Sequence, residues 1–145
     1  MNTAPISILG FVVAVAGLLG LALTDHLWGI GPLSIGLQLA AVLLMIWARL
    51  TFGVRSLHAA ATPTEGRLVM HGPYAFVRNP IYSSVLLFTW TAVAVHFDLV
   101  SLGCGVLITA GMLVRVFAEE SELRGRYREY AEYGRRVKRL IPFIF

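Results

Sequence analysis

Side chains suited to chemistry concentrate in two short places, residues 66–82 and residues 115–120. In the first, Arg67, His71 and Arg78 supply hydrogen-bond donors among the flat rings of Tyr74, Phe76 and Tyr82. Gly72 followed by Pro73 reads as a turn, since Gly tolerates positive φ and Pro fixes its own. Asn79 followed by Pro80 reads as a helix start, with Asn as N-cap and Pro pre-shaped for the first helical position. Such a start offers unpaired N–H groups and the positive end of the helix dipole, which suit an anionic group. In the second place, Arg115 and Glu119 are four residues apart, so they share a helix face and can pair. Glu120 follows directly. Adjacent carboxylates at the expected end of an apolar helix oppose its dipole, which calls for a compensating cation from an arginine or a ligand. The chemistry implied is recognition of a small molecule at a water–lipid boundary. The plainer alternative is a connecting loop with arginines facing the cytosol and aromatics at the interface.

The elements that must position these residues are apolar. Of 145 residues, 57% are hydrophobic and only 14% charged, against about a quarter charged in a soluble domain. The sequence predicts an all-α integral membrane protein, one domain over residues 1–145. Four transmembrane helices are expected at residues 6–23, 33–52, 80–95 and 99–118. The third and fourth are joined so tightly, through His96, Phe97 and Asp98, that an antiparallel hairpin is expected. Gly10 and Ala14, Ala16 and Gly20, and Gly36 and Ala40 give the small-xxx-small spacing that lets helices approach closely, and Gly103, Gly105 and Gly111 offer close packing of the fourth span against its partner. These faces serve either contacts within the chain or a dimer. The tail, residues 119–145, places Leu123, Tyr127, Tyr130, Val137 and Ile141 at helical spacing, so an amphipathic cytosolic helix is expected there, on the membrane surface or folded over the loop of residues 53–79.

Charge sets the orientation. Arg49, Arg55, Arg67 and Arg78 flank or lie in the central loop, and the other eight Lys and Arg follow at the end of the fourth span and in the tail. The two remaining loops carry only Asp25 and Asp98. The positive-inside rule then puts both termini, the central loop and the site on the cytosolic side of the cytoplasmic membrane.

Several function classes drop out. The net charge of +4 comes from basic residues flanking apolar runs, so no nucleic-acid partner is expected. No metal is expected: Cys104 is single and lies in an apolar run, and no histidine pair faces across the bilayer for haem ligation. No ionisable group lies near the middle of a span, which argues against a proton-coupled transporter. Residues 29–31, Gly-Ile-Gly, follow no strand and are not a dinucleotide fingerprint. With no Lys or Arg ahead of it, the first span reads as a retained helix and not a signal peptide.

The order Gly72-x-Tyr74-x-x-x-Arg78-x-Pro80-x-Tyr82, then Glu119-Glu120-x-x-Leu123, a Tyr-rich helix and Arg139-x-x-Pro142 resembles the isoprenylcysteine carboxyl methyltransferase and phospholipid methyltransferase superfamily, over about residues 50–143. The resemblance implies an integral membrane enzyme that uses S-adenosylmethionine and releases S-adenosylhomocysteine, its cofactor held between the central loop and the tail. Carried over by position, the cofactor contacts are Gly66, Arg67, Leu68, Val69, His71, Gly72, Tyr74, Arg78, Asn79, Pro80, Ile81, Tyr82 and Glu119. Arg115 lies on the substrate side as a catalytic and substrate-binding residue, and Glu120 is a catalytic candidate. The acceptor implied is a lipid-like or prenylated molecule entering from the membrane lipids, with carboxyl O-methylation of an isoprenylcysteine-type substrate favoured; the alternatives are a phospholipid amine N-methyltransferase or a non-catalytic membrane scaffold of the same fold. A carboxylate nucleophile needs only Arg115 to orient it. An amine must lose a proton, for which Glu120 and His71 are the candidates. Asn79 stands where the family commonly has His, so no imidazole acts there.

Overall fold

The computed structural model describes residues 3–53 and 68–145, and within them the regular structure is helical. Helix α1 spans Ala4–Leu23, α2 Pro32–Phe52, α3 Pro80–Val95, α4 Leu99–Arg126 and α5 Tyr130–Arg136, with a short 3-10 helix at Gly72–Ala75. Three of these are long and apolar enough to cross a membrane: α1, α2 and α4, with mean hydropathy 2.6, 1.8 and 2.0. Helix α3 is apolar but has 16 residues. Helices α1, α2 and α3 all begin with proline in the first turn, where its missing N–H costs nothing.

Large apolar side chains point outward and small ones inward. Leu9, Leu39 and Val106 are each more than half exposed, whereas Ala14, Ala41 and Ala48 are buried. That inverted pattern fits a chain whose solvent is lipid, where close packing of small residues holds helices together. Helix α1 lies along α4: a Cβ on Gly10 would sit 2.7 Å from the Gly111 carbonyl oxygen, and one on Gly111 would sit 2.9 Å from the Ala14 nitrogen. Gly17 likewise meets the Cys104 carbonyl. Gly105 instead faces Val93 and Trp90 of α3, while Gly36 and Gly103 meet nothing among the described residues. Helix α2 packs against α3 and the 3-10 helix.

On the side away from residues 115–120, polar side chains fasten the connections. Asp98 caps α4 by accepting from the Ser101 backbone N–H at 2.7 Å. That hydrogen bond is the main reason its carboxyl is held below the usual carboxylate range. His26 approaches Asp98 at 3.3 Å and its ring stacks on His96 at 4.7 Å. Gln38 accepts from the Gly29 N–H and donates to the Leu27 carbonyl.

The tail differs from the sequence expectation. Helix α4 runs eight residues past Ala118 to Arg126, and the last turn carries Arg124 and Arg126, which suit its dipole. Glu119 and Glu120 are therefore inside a helix and not at its end, and dipole repulsion does not explain them. Tyr127 then takes an extended conformation, and only the seven residues of α5 are helical beyond it. The rest of the tail turns back, and Val77 and Lys138 form a parallel bridge.

Candidate functional site

The start of α3 and residues 115–120 of α4 meet at one end of the molecule. Proline at position 80 fixes where α3 begins, so Tyr82 falls in its first turn with its ring toward α4. Tyr82 donates its hydroxyl to Glu119 and accepts from Arg115 Nε at 3.1 Å. Arg115 NH2 is 3.7 Å from Glu119, one helical turn away, and NH1 donates to the Ser7 carbonyl of α1 at 3.3 Å. Its guanidinium also lies over the rings of Phe11 and Tyr82, at 5.3 and 5.6 Å. Arg115 is thus enclosed by three helices and buried, while the Glu119 side chain is 28% exposed. The pairing of Arg115 with Glu119 read from their spacing is present.

Tyr74, carried by the 3-10 helix, is buried with its ring tilted on Phe52 at 5.6 Å. Gly72 opens that turn with φ at +61°, a conformation natural to glycine. Burial is the first reason the Tyr74 phenol is pushed up, and the nearby Glu119 carboxylate the second, so it remains a neutral phenol at physiological pH.

Glu120 points the other way and is 1% exposed. One oxygen accepts from Asn79 Nδ2 at 3.3 Å and lies 3.2 Å from Arg78 NH2. The other accepts from Arg139 Nε at 3.0 Å and Arg124 NH2 at 3.2 Å. A single carboxylate therefore gathers the loop, α4 and the tail. The backbone follows: the N–H groups of Arg78 and Asn79 donate to the carbonyls of Lys138 and Arg139 at 2.7 and 3.0 Å. Ser83 donates its hydroxyl to the Leu140 carbonyl at 2.6 Å, and Tyr133 donates to the Tyr74 carbonyl at 2.6 Å. Burial pushes the Tyr133 phenol up, which keeps it a donor. Gly134 makes room for this arrangement, because a Cβ there would lie 2.6 Å from Arg78 NH1.

Of the residues singled out from sequence, Tyr74, Asn79, Pro80, Tyr82, Arg115, Glu119 and Glu120 come together, with Arg78 behind them. His71 is exposed, Leu68, Val69, Gly72 and Ile81 are half-buried, and Gly66 and Arg67 lie outside the described residues. Asn79 occupies the N-cap position but makes no side-chain cap, because its amide is spent on Glu120 and on the Arg139 carbonyl. The compensating cations expected beside the acidic pair are protein arginines: Arg115 for Glu119, and Arg78, Arg124 and Arg139 for Glu120. The sequence assigns Arg124 and Arg139 no contact with Glu120; the four-residue spacing of Glu120 and Arg124 points to the first, and for the second, 19 residues away, only the Arg139-x-x-Pro142 motif singles the residue out.

Helix-start N–H groups without a side-chain cap beside a partly exposed carboxylate and two phenols can hold a ligand that carries both charges. The anionic end suits the N–H groups, and the cationic or hydroxyl-bearing end suits Glu119. A family model described as phospholipid methyltransferase matches residues 27–130, which include Tyr74, Tyr82, Arg115, Glu119 and Glu120. No curated protein and no solved structure matches the chain.

Proposed function

The chain belongs to the phospholipid methyltransferase family, and on that premise we propose that it transfers a methyl group from S-adenosylmethionine to a lipid-like acceptor at the membrane face where α3 begins. The carrying observation is the Tyr82–Glu119–Arg115 cluster, which joins the two places that the sequence marks for chemistry. When bound, the cofactor supplies a methyl group on a sulfonium, and S-adenosylhomocysteine is released. Glu119 holds the ribose hydroxyls or the cationic end, the first-turn N–H groups of α3 receive the carboxylate, and Tyr74 and Tyr82 give flat packing surfaces. Methyl transfer from a sulfonium is an in-line displacement, so these residues contribute mainly alignment and exclusion of water.

Arg115 bears on the acceptor. Its guanidinium already contacts Ser7, Tyr82 and Glu119, so a carboxylate acceptor has to displace Glu119 to reach it. This favours an amine headgroup over the isoprenylcysteine carboxyl, and makes Arg115 a positioning residue that fixes Glu119 and Tyr82. Glu120 is closed in by three arginines, which leaves exposed His71 to take the proton an amine must lose. In this reading α3 also crosses, as the third of four spans, paired with α4 as a hairpin, and both termini and the site face the cytosol; the clustering of Lys and Arg near this end supports it. The cofactor sits at the Glu119 side of the loop, with the tail closing the Glu120 side.

Calorimetric titration of the detergent-purified protein with S-adenosylhomocysteine tests the reading. Saturable binding is expected, weakened about tenfold by Glu119→Ala, the size of one charge-assisted hydrogen bond. A folded protein that binds neither S-adenosylhomocysteine nor S-adenosylmethionine overturns it. With methyl-labelled cofactor and membranes, a base-stable lipid product is expected. A base-labile ester instead identifies a carboxyl acceptor.

A further inference from the structure

Residues 121–145 hold seven of the twelve Lys and Arg but only three of the eight Asp and Glu, so the chain's whole net charge of +4 resides there and the rest is neutral. Within this segment Arg128, Arg135 and Lys138 are exposed. Immediately after them, residues 141–145 form a tight turn in which a main-chain oxygen of Phe145 accepts from the N–H groups of Leu140 and Ile141 at 2.7 and 2.8 Å. This tip is apolar and bare: Phe143 is 91% exposed and Ile144 75%.

The tip does not hang free of the membrane-crossing part. Arg139 lies between two rings, 5.2 Å from the Phe117 centroid and 5.4 Å from that of Phe145, while its Nε holds Glu120. Phe117 belongs to the outward face of α4, half exposed like the other large apolar residues of that helix. The apolar tip is therefore continuous with a lipid-facing helix surface and is clipped to it through Arg139. An apolar wedge continuous with such a surface and bordered by exposed cations is the combination that binds a leaflet carrying negative headgroups: the wedge enters the acyl boundary and the cations meet phosphate-bearing lipids.

We propose that residues 128–145 form a docking surface for anionic phospholipids, with the 141–145 tip inserted in the leaflet and Arg128, Arg135 and Lys138 engaging its headgroups. Each such cation adds roughly fivefold to affinity for an anionic surface, and less as salt rises. This goes beyond the methyl-transfer reading and does not depend on it, since the acceptor site lies at Glu119 and the surface lies on the other side of Glu120.

The test uses the full chain carrying Cys104→Ala and Phe143→Cys, labelled at position 143 with an environment-sensitive fluorophore. It is reconstituted in vesicles of phosphatidylcholine alone, or with roughly a third phosphatidylglycerol. Blue-shifted emission is expected with phosphatidylglycerol, reverting toward the aqueous value in phosphatidylcholine and at high salt. Arg128→Glu, Arg135→Glu and Lys138→Glu together should make both vesicles read alike. A label that reads aqueous in phosphatidylglycerol, or identically in the two vesicles with the native cations, overturns the proposal. So does a blue shift that survives the charge reversal. No turnover is measured, so a failed methyltransferase assay leaves these outcomes intact.

Discussion

Replacing Glu120 with Gln separates an anchor from a catalyst. The Arg78 side chain is 8% exposed and that of Glu120 2%, whereas Arg139 is 26% and Arg124 55% exposed. Neutralising Glu120 lets Arg124 and Arg139 turn to water at small cost, since exposed pairs contribute about 0–1 kcal/mol. Arg78 has no such escape, and stranding a buried charge costs about 3–5 kcal/mol. For a chain of this size that lowers the unfolding midpoint by roughly 6–20 °C. The loss should be local first: the Arg78 and Asn79 amides, which donate to the tail, should exchange with deuterium faster than those of α1. Thermal unfolding in detergent and hydrogen exchange read the two effects. Adding Arg78→Met to Glu120→Gln should recover most of the lost stability, because removing both charges leaves none unpaired. The reasoning is refuted if Glu120→Gln unfolds and exchanges like the parent yet abolishes turnover, for then the carboxylate takes part in the reaction.

Tyr82→Phe removes the hydroxyl that bridges Glu119 and Arg115, so S-adenosylhomocysteine affinity should fall about tenfold or more in a calorimetric titration, with about 1–3 kcal/mol lost in stability. Gly111→Ala should destabilise by about 1–3 kcal/mol or more in thermal unfolding, since its Cβ meets α1 backbone, while Gly103→Ala, facing open space, should be neutral or stabilising. Asp98 has its carboxyl held low in the folded state, chiefly by the Ser101 N–H, so the stability it contributes is present above the ordinary carboxylate range and is lost as pH falls through the lowered value. The difference in unfolding midpoint between the parent and Asp98→Asn should therefore be largest at neutral pH and close below about pH 4.

What could be read from the sequence is what short-range rules govern. Proline after Asn79 marks the start of α3, and the spacing of Arg115 and Glu119 gives their pairing. Where two local rules compete, the reading failed. Glu119 and Glu120 interrupt an apolar run, which looked like a helix end, but pairing across four residues with Arg115 and Arg124 carries α4 through to Arg126. Asn79 is a good N-cap by type, and a buried carboxylate claimed its amide instead. Small-residue spacing told which helices can pack closely but not which partner each takes: Gly111 meets α1, Gly105 meets α3, and Gly103 and Gly36 meet neither.

The least legible feature organises the rest. Arg78, Asn79 and Arg139 reach Glu120 from 19 to 42 positions away, and no periodicity connects them. Their convergence has a physical motive, because a carboxylate buried among three arginines is tolerable only when every oxygen is satisfied. That condition holds the residue before α3 at a fixed distance from α4. Glu119, its neighbour along the same helix, is thereby held against Tyr82 in partial contact with solvent. One acidic residue fixes the frame so that the one before it stays open to solvent, and the order of the two in the sequence decides which does which. Exchanging their roles would need a helix rotated by about 100°, which the Gly10–Gly111 contact forbids.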